Sequence, residues 1–169
     1  LTLGVAPSRL TSARALRLCP QCVVADRDEH GRAYWHREHQ LPGVLVCPHH
    51  ARPLTSTTVR PDWNFGHGKF VTPENAILAG ACELDDEDRR KLLPIADDAY
   101  WLLSHKALSP GPNRLHAYYR GRAHSAGYSR SNGSVALTRL RQAIEAHYGR
   151  ALLERIGCSV SRDGSDWVA

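Results

Sequence analysis

Mainly helical, with a small cysteine-clamped module ahead of the helices: that is the fold class this 169-residue chain predicts. Three observations predict it. Cys19-Pro-Gln-Cys22 and Cys47-Pro-His-His50 are two short knuckles with the same internal spacing, separated by 24 residues. From residue 89 onward, apolar residues recur at helical rather than alternating intervals. Charge is spread unevenly: the net +5 resolves into +4 over residues 1–60, −1 over 61–82, −4 over 83–98 and +6 over 99–169.

Residues 8–18 read as a short helix feeding the first knuckle, with Leu10, Leu16 and Leu18 as its apolar positions. A Cys-x2-Cys pair sets two thiolates on one turn, and a Cys-x2-His pair adds a sulfur and a nitrogen. Three sulfurs and one imidazole suit a tetrahedral, borderline-soft cation, Zn2+ best of all. With Cys19, Cys22, Cys47 and His50 as ligands, this CCCH knuckle has no position left for water, and the zinc is structural. His49, His36 and His39 are the rival imidazoles. A redox dithiol at Cys19 and Cys22 would want a strand–helix context and no second knuckle. So small a module has little core, so metal binding there is folding energy, on the order of 10 kcal/mol. Chelation is expected to unfold residues 19–54.

Between the knuckles, Tyr34-Trp35-His36-Arg37-Glu38-His39 invites a hydrolase reading, which the spacing does not support. Hydrolytic zinc needs an open position and a general base, and the sequence is not His-Glu-x-x-His. Trp35 is expected to pack over the metal turns, with His36 and His39 hydrogen-bonding around the ligands. Pro42-Gly43 turns the chain back to the second knuckle.

Residues 61–82 read as an irregular connection: Thr, Pro, Gly and Asn dominate from 55 to 75, with Trp63, Phe65 and Phe70 scattered among them. The acidic run 83–88 suits a helix start. Leu92, Leu93, Ile95, Ala96, Ala99, Tyr100, Leu102 and Leu103 then give a helix over 89–105 with a broad buried face, started or kinked by Pro94. Ser109-Pro-Gly-Pro112 breaks it. Helices follow at 113–125, 134–148 and 149–156, with Gly149 and Gly157 at C-terminal caps. In the 134–148 helix, Leu137, Leu140, Ile144 and Tyr148 form one stripe, and Ser131 or Ser134 caps its start. In the preceding helix, Leu115 and Tyr118 or Tyr119 point inward. The domain division is therefore 1–60, 61–82, 83–157 and a tail at 158–169.

A helix, a polar turn (Gly127 to Gly133) and a second amphipathic helix resemble a helix-turn-helix, although the turn exceeds the usual three or four residues. Nineteen of the 22 basic residues are arginine, and residues 105–157 carry nine Lys/Arg against two Glu. Arginine pairs bidentately with phosphate and guanine. An arginine-rich genome explains the count but not the clustering. Arg114, Arg120, Arg122 and Arg130 are candidates for phosphate or outer contacts, and Thr138, Arg139, Arg141 and Gln142 for the groove-facing helix.

Five cysteines without a disulfide-like spacing, three of them in the knuckles, fit a reducing compartment with metal-held thiolates. Cys82 and Cys158 lack a knuckle partner and read as small buried apolar residues. No apolar run approaches the roughly 20 residues that span a bilayer, and no signal peptide is visible. With no methionine and Leu1 at its start, the chain is expected to be a fragment.

Cys-Pro-x-Cys, Asp26, Gly31, Tyr34-Trp35-His36-Arg37, His39-Gln40-Leu41-Pro42-Gly43-Val44 and Cys-Pro-x-His together resemble the TniQ/TnsD family. These are target-site selectors of bacterial transposons that use an AAA+ regulator. The resemblance is close over 16–54, looser over 89–157 and absent between. It implies zinc on Cys19, Cys22, Cys47 and His50, and a whole protein that binds double-stranded DNA at an attachment site, or an RNA-guided complex in some relatives. Such a protein recruits the AAA+ ATPase in the bacterial cytoplasm, at the nucleoid, and leaves DNA chemistry to a transposase. No enzyme activity of its own is expected. A protein-interaction adaptor that reads no DNA sequence is the alternative, and a zinc nuclease is disfavoured by the closed ligand set.

Overall fold

The computed structural model describes residues 14–60, 70–105 and 111–158. The start of the expected 8–18 helix, Trp63 and Phe65, and most of the 158–169 tail lie outside these ranges. Residues 17 and 18, expected to be helical, form strand β1 (Arg17–Leu18) instead. It pairs antiparallel with β2 (Thr55–Thr57), which pairs antiparallel with β3 (Leu78–Ala81). The β3 strand adds regular structure at the end of the 61–82 connection, which is expected from sequence to be irregular. Its composition, Leu-Ala-Gly-Ala, carries little strand propensity; pairing with β2 imposes the extended state.

Helix α1 (Pro20–His30) begins with Pro20 in its first turn, where a missing N–H costs nothing. It ends at Gly31, whose φ of 75° provides the left-handed cap that returns an N–H to the Arg27 carbonyl. Helix α2 (Asp86–Ser104) starts from Asp85, whose carboxylate accepts from the Asp88 N–H at 2.7 Å. Acidic residues fill its first turn, as the helix dipole favours. Pro94 sits inside α2, and the helix continues through it. Helices α3 (Pro112–Ser125), α4 (Leu137–Tyr148) and α5 (Arg150–Arg155) complete the chain.

Two buried clusters hold these elements, and both join the front of the chain to its rear. Cys19, Cys22, Val44, Cys47 and Leu54 pack with Ala96 and Ala99 of α2, and Leu41 covers them. Val46 packs with Leu92, Leu152, Leu153 and Ile156, flanked by Ile144 and Tyr148 of α4. Alanines at 96 and 99 let the α2 backbone approach the knuckles closely.

Several expectations for the helical half need correction. Leu115, Tyr118 and Tyr119 do not point into a core; they are 43%, 61% and 63% exposed. The α4 stripe is only half-buried, and Leu137 is exposed. Neither Ser131 nor Ser134 caps α4, which begins after Ala136 without a side-chain cap. Ser134 instead donates to the Asn132 side chain from both N–H and hydroxyl. What joins α3 to α4 is a small hairpin, closed by the Ser129–Val135 bridge and by His124 donating to the Gly133 carbonyl. Its length separates it from a helix-turn-helix turn. Among the described residues, no helix is long and apolar enough to cross a membrane.

Candidate metal centre

Cys19 is the N-cap of α1 and Cys22 lies in its first turn, so both sulfurs sit at the positive end of the helix dipole. The second knuckle is the tip of a hairpin. Val46 bridges to Pro53, the Leu54 N–H donates to Leu45, and the Ala51 N–H closes the turn onto Cys47. Ala51 takes a φ of 49°, unusual for a residue with a side chain, and this bends the chain sharply after His50.

These two turns face each other. His50 Nδ1 lies 3.3 Å from Cys22 Sγ, 3.6 Å from Cys47 Sγ and 3.7 Å from Cys19 Sγ, and the Cys22 and Cys47 sulfurs are 3.6 Å apart. All four donors lie within 4.8 Å of one another. Zinc bond lengths of about 2.3 Å to sulfur and about 2.0–2.1 Å to nitrogen place tetrahedral donors roughly 3.5–3.8 Å apart. The observed spacings match that tetrahedron closely. The donor set therefore fits a single closed metal ion, and Cys19 and Cys47 are completely buried.

Without a cation, three adjacent thiols cannot ionise together. The Cys22 and Cys47 side chains hold Cys19 down as the thiolate. Cys22 is pushed up in turn, first by its hydrogen bond to Cys19, and Cys47 is pushed up to about 11. Thiolate repulsion of this kind is what a divalent ion relieves.

Around the sulfurs lies a polar network that sequence reading saw only in part. Cys22 and Asp26 are one helical turn apart, so both point to the buried side of α1. The Asp26 carboxylate lies 3.1 Å from His36 Nε2 and accepts from the Tyr34 N–H. His36 Nδ1 lies 3.1 Å from Glu38 Oε1, and His49 Nε2 lies 3.2 Å from the same oxygen. Burial alone would raise the Glu38 pKa, but its backbone N–H and the two imidazoles bring it below the usual value. His39 is buried with its Nε2 unpartnered, and desolvation lowers it to about 4. Trp35 does not cover the metal turns as expected. Leu41 does, while the Trp35 indole donates to the Val71 carbonyl at 2.9 Å.

Arg17, Asp26 and Glu38 are residues that sequence reasoning did not assign to this site, and His49 entered it only as a rival ligand to His50. The four-residue interval from Cys22 to Asp26 was the available signal for one of them. Arg114, Arg120, Arg122, Arg130, Thr138, Arg139 and Gln142 are all exposed, on α3, the hairpin and α4. Arg141 differs, being half-buried and paired with Glu145 at 3.1 Å.

The two turns thus bring together, ahead of a helical rear half, a Cys3His donor set that could hold a metal. The family pattern described as TniQ matches residues 2–54, and that described as Tn7-like transposition protein D matches residues 95–169. Transposon Tn7 transposition protein TnsD of Escherichia coli is 34% identical over 77 residues, covering 43% of this chain and 15% of that protein. Over these residues the chain is similar to proteins of the TniQ/TnsD family, and it spans about 15% of the length of that relative.

Proposed function

We propose that this chain is the zinc-clamped part of a Tn7-type target-site selector, which binds duplex DNA at an attachment site and recruits an AAA+ transposition regulator. Zinc is favoured by the sulfur-rich donor set and its tetrahedral spacing. The observation that carries the DNA reading is that Arg114, Arg120 and Arg122 of α3, Arg130 of the hairpin and Arg139 of α4 are all exposed. Cationic side chains at the rear of a basic chain suit phosphate contacts, and Thr138, Arg139 and Gln142 share an exposed face suited to base edges. The reading assigns no bond-making to this chain.

Footprinting on attachment-site and random duplexes at two salt concentrations tests it. Arg120→Ala should weaken both duplexes alike and lower the salt slope by about one. Arg139→Ala should cost about 1–3 kcal/mol on the specific duplex and little on the random one. Equal losses for both variants on both duplexes would remove the base-reading role from α4. An adaptor that reads no DNA has its own support in the exposed Trp101, Leu102, Tyr118 and Tyr119. Salt-independent or absent duplex binding would favour it.

A further inference from the structure

We propose a second metal site in this chain, an open one, built from His36, Glu38 and His49 beside the closed Cys3His centre. Two imidazole nitrogens, His36 Nδ1 and His49 Nε2, converge on one carboxylate oxygen of Glu38 at 3.1 and 3.2 Å. All three ligand atoms lie within 4.8 Å of one another. Metal–ligand bonds of about 2.1 Å set neighbouring donors roughly 3.0–3.4 Å apart in octahedral or tetrahedral coordination, so both measured edges fit.

The surroundings suit His36 as a ligating imidazole. His36 presents both ring nitrogens to carboxylates, Asp26 at Nε2 and Glu38 at Nδ1. A neutral imidazole has one N–H and one lone pair. With the N–H given to buried Asp26, the Nδ1 lone pair is left to ligate a cation shared with the Glu38 oxygen. Carboxylate, histidine and metal in line are the usual orienting arrangement of a ligating imidazole. His49 is held from its other side by the edge of Tyr100, with ring centroids 4.7 Å apart.

Two imidazoles and one carboxylate form the facial set that suits borderline divalent ions and leaves coordination positions free. The three residues line a cavity of about 480 Å3 together with Tyr34, Trp35 and Tyr100. The free positions would therefore take water or an oxygen donor such as a phosphate. The sulfur-free set separates this site chemically from its neighbour.

The test uses the whole chain loaded with one equivalent of Zn2+ and then titrated with Co2+. The expected result is one further equivalent bound, with cobalt d–d absorption and no thiolate-to-cobalt charge transfer. His49→Ala, at an exposed position, and Glu38→Gln should each weaken that second equivalent at least tenfold. In both variants the first equivalent, added as Co2+ to metal-free protein, should still give the thiolate charge-transfer band, which reports an intact fold. Saturation at a single equivalent would overturn the proposal. So would unchanged second-site affinity in both variants, or charge-transfer absorption from the second cobalt. Loss of the first equivalent in the unaltered chain would instead count against the closed centre.

Discussion

Arg17 Nη1 donates to the Val44 carbonyl at 2.7 Å, across 27 residues of sequence, and Nη2 of the same guanidinium donates to the Leu41 carbonyl at 2.8 Å. The backbone of Arg17 is bound back by Gln40, which accepts from its N–H and donates to its carbonyl. Strand β1 is thereby tied to the segment that leads into the second knuckle. Arg17→Ala would leave the buried Val44 carbonyl without this donor, while the Leu41 carbonyl keeps the Val44 N–H, and should cost about 1–3 kcal/mol. Urea denaturation with metal present measures it. A loss below about 0.5 kcal/mol would mean that water replaces the guanidinium freely.

Removal of the metal should be felt beyond residues 19–54. Ala96 and Ala99 of α2 pack on the ligand cysteines, so chelation should loosen α2 as well as the knuckles. Amide exchange with and without chelator should show protection lost at residues 92–103 together with 19–54. Acid should act in the same direction, because ligating thiolates and imidazole must be deprotonated. Unaltered protection of α2 after complete metal removal would count against the shared core.

Thiol labelling separates the five cysteines. Cys82 and Cys158 are half-buried, and desolvation raises both. A raised pKa leaves less thiolate at pH 7.5, so both should alkylate slowly, and faster as pH rises. With metal bound, Cys19, Cys22 and Cys47 should be protected, and chelator should increase the labelled count from two to five. Mass spectrometry of the alkylated chain reads this directly.

Leu153 is almost fully buried against Val46 and Leu92. Leu153→Ala should cost about 2–5 kcal/mol while leaving metal stoichiometry unchanged, because its cluster holds none of Cys19, Cys22 and Cys47. Ala96→Leu should cost about 1–3 kcal/mol through overpacking, and it should also weaken metal binding, because its neighbours are the ligands. Stability and metal affinity measured on both variants would show whether the two clusters are separable in this way.

The knuckles were legible because metal chemistry fixes both residue type and spacing. Helices α2 to α5 were legible because an apolar period or a glycine stop marks each of them. Leu115, Tyr118 and Tyr119 misled, since apolar side chains at helical spacing describe a face without saying whether anything covers it. Strand β3 was hidden because its residues are weak strand formers and its partner lies more than twenty positions earlier. The pairing of His49 with Glu38 was hidden for a related reason: eleven residues and a turn separate them, and only the folded hairpin brings them to one point.

The two family matches stop at residue 54 and resume at residue 95, which suggests two exchangeable pieces. The interior disagrees with that seam. Leu54 and Cys47 touch the same buried cluster as Ala96 and Ala99, and Leu92 carries the other cluster one turn away. A cut made between the matches would split one hydrophobic unit and strand α2 with a bare face. Chimeras that swap only the front or only the rear should therefore need the matching α2 surface to travel with the graft.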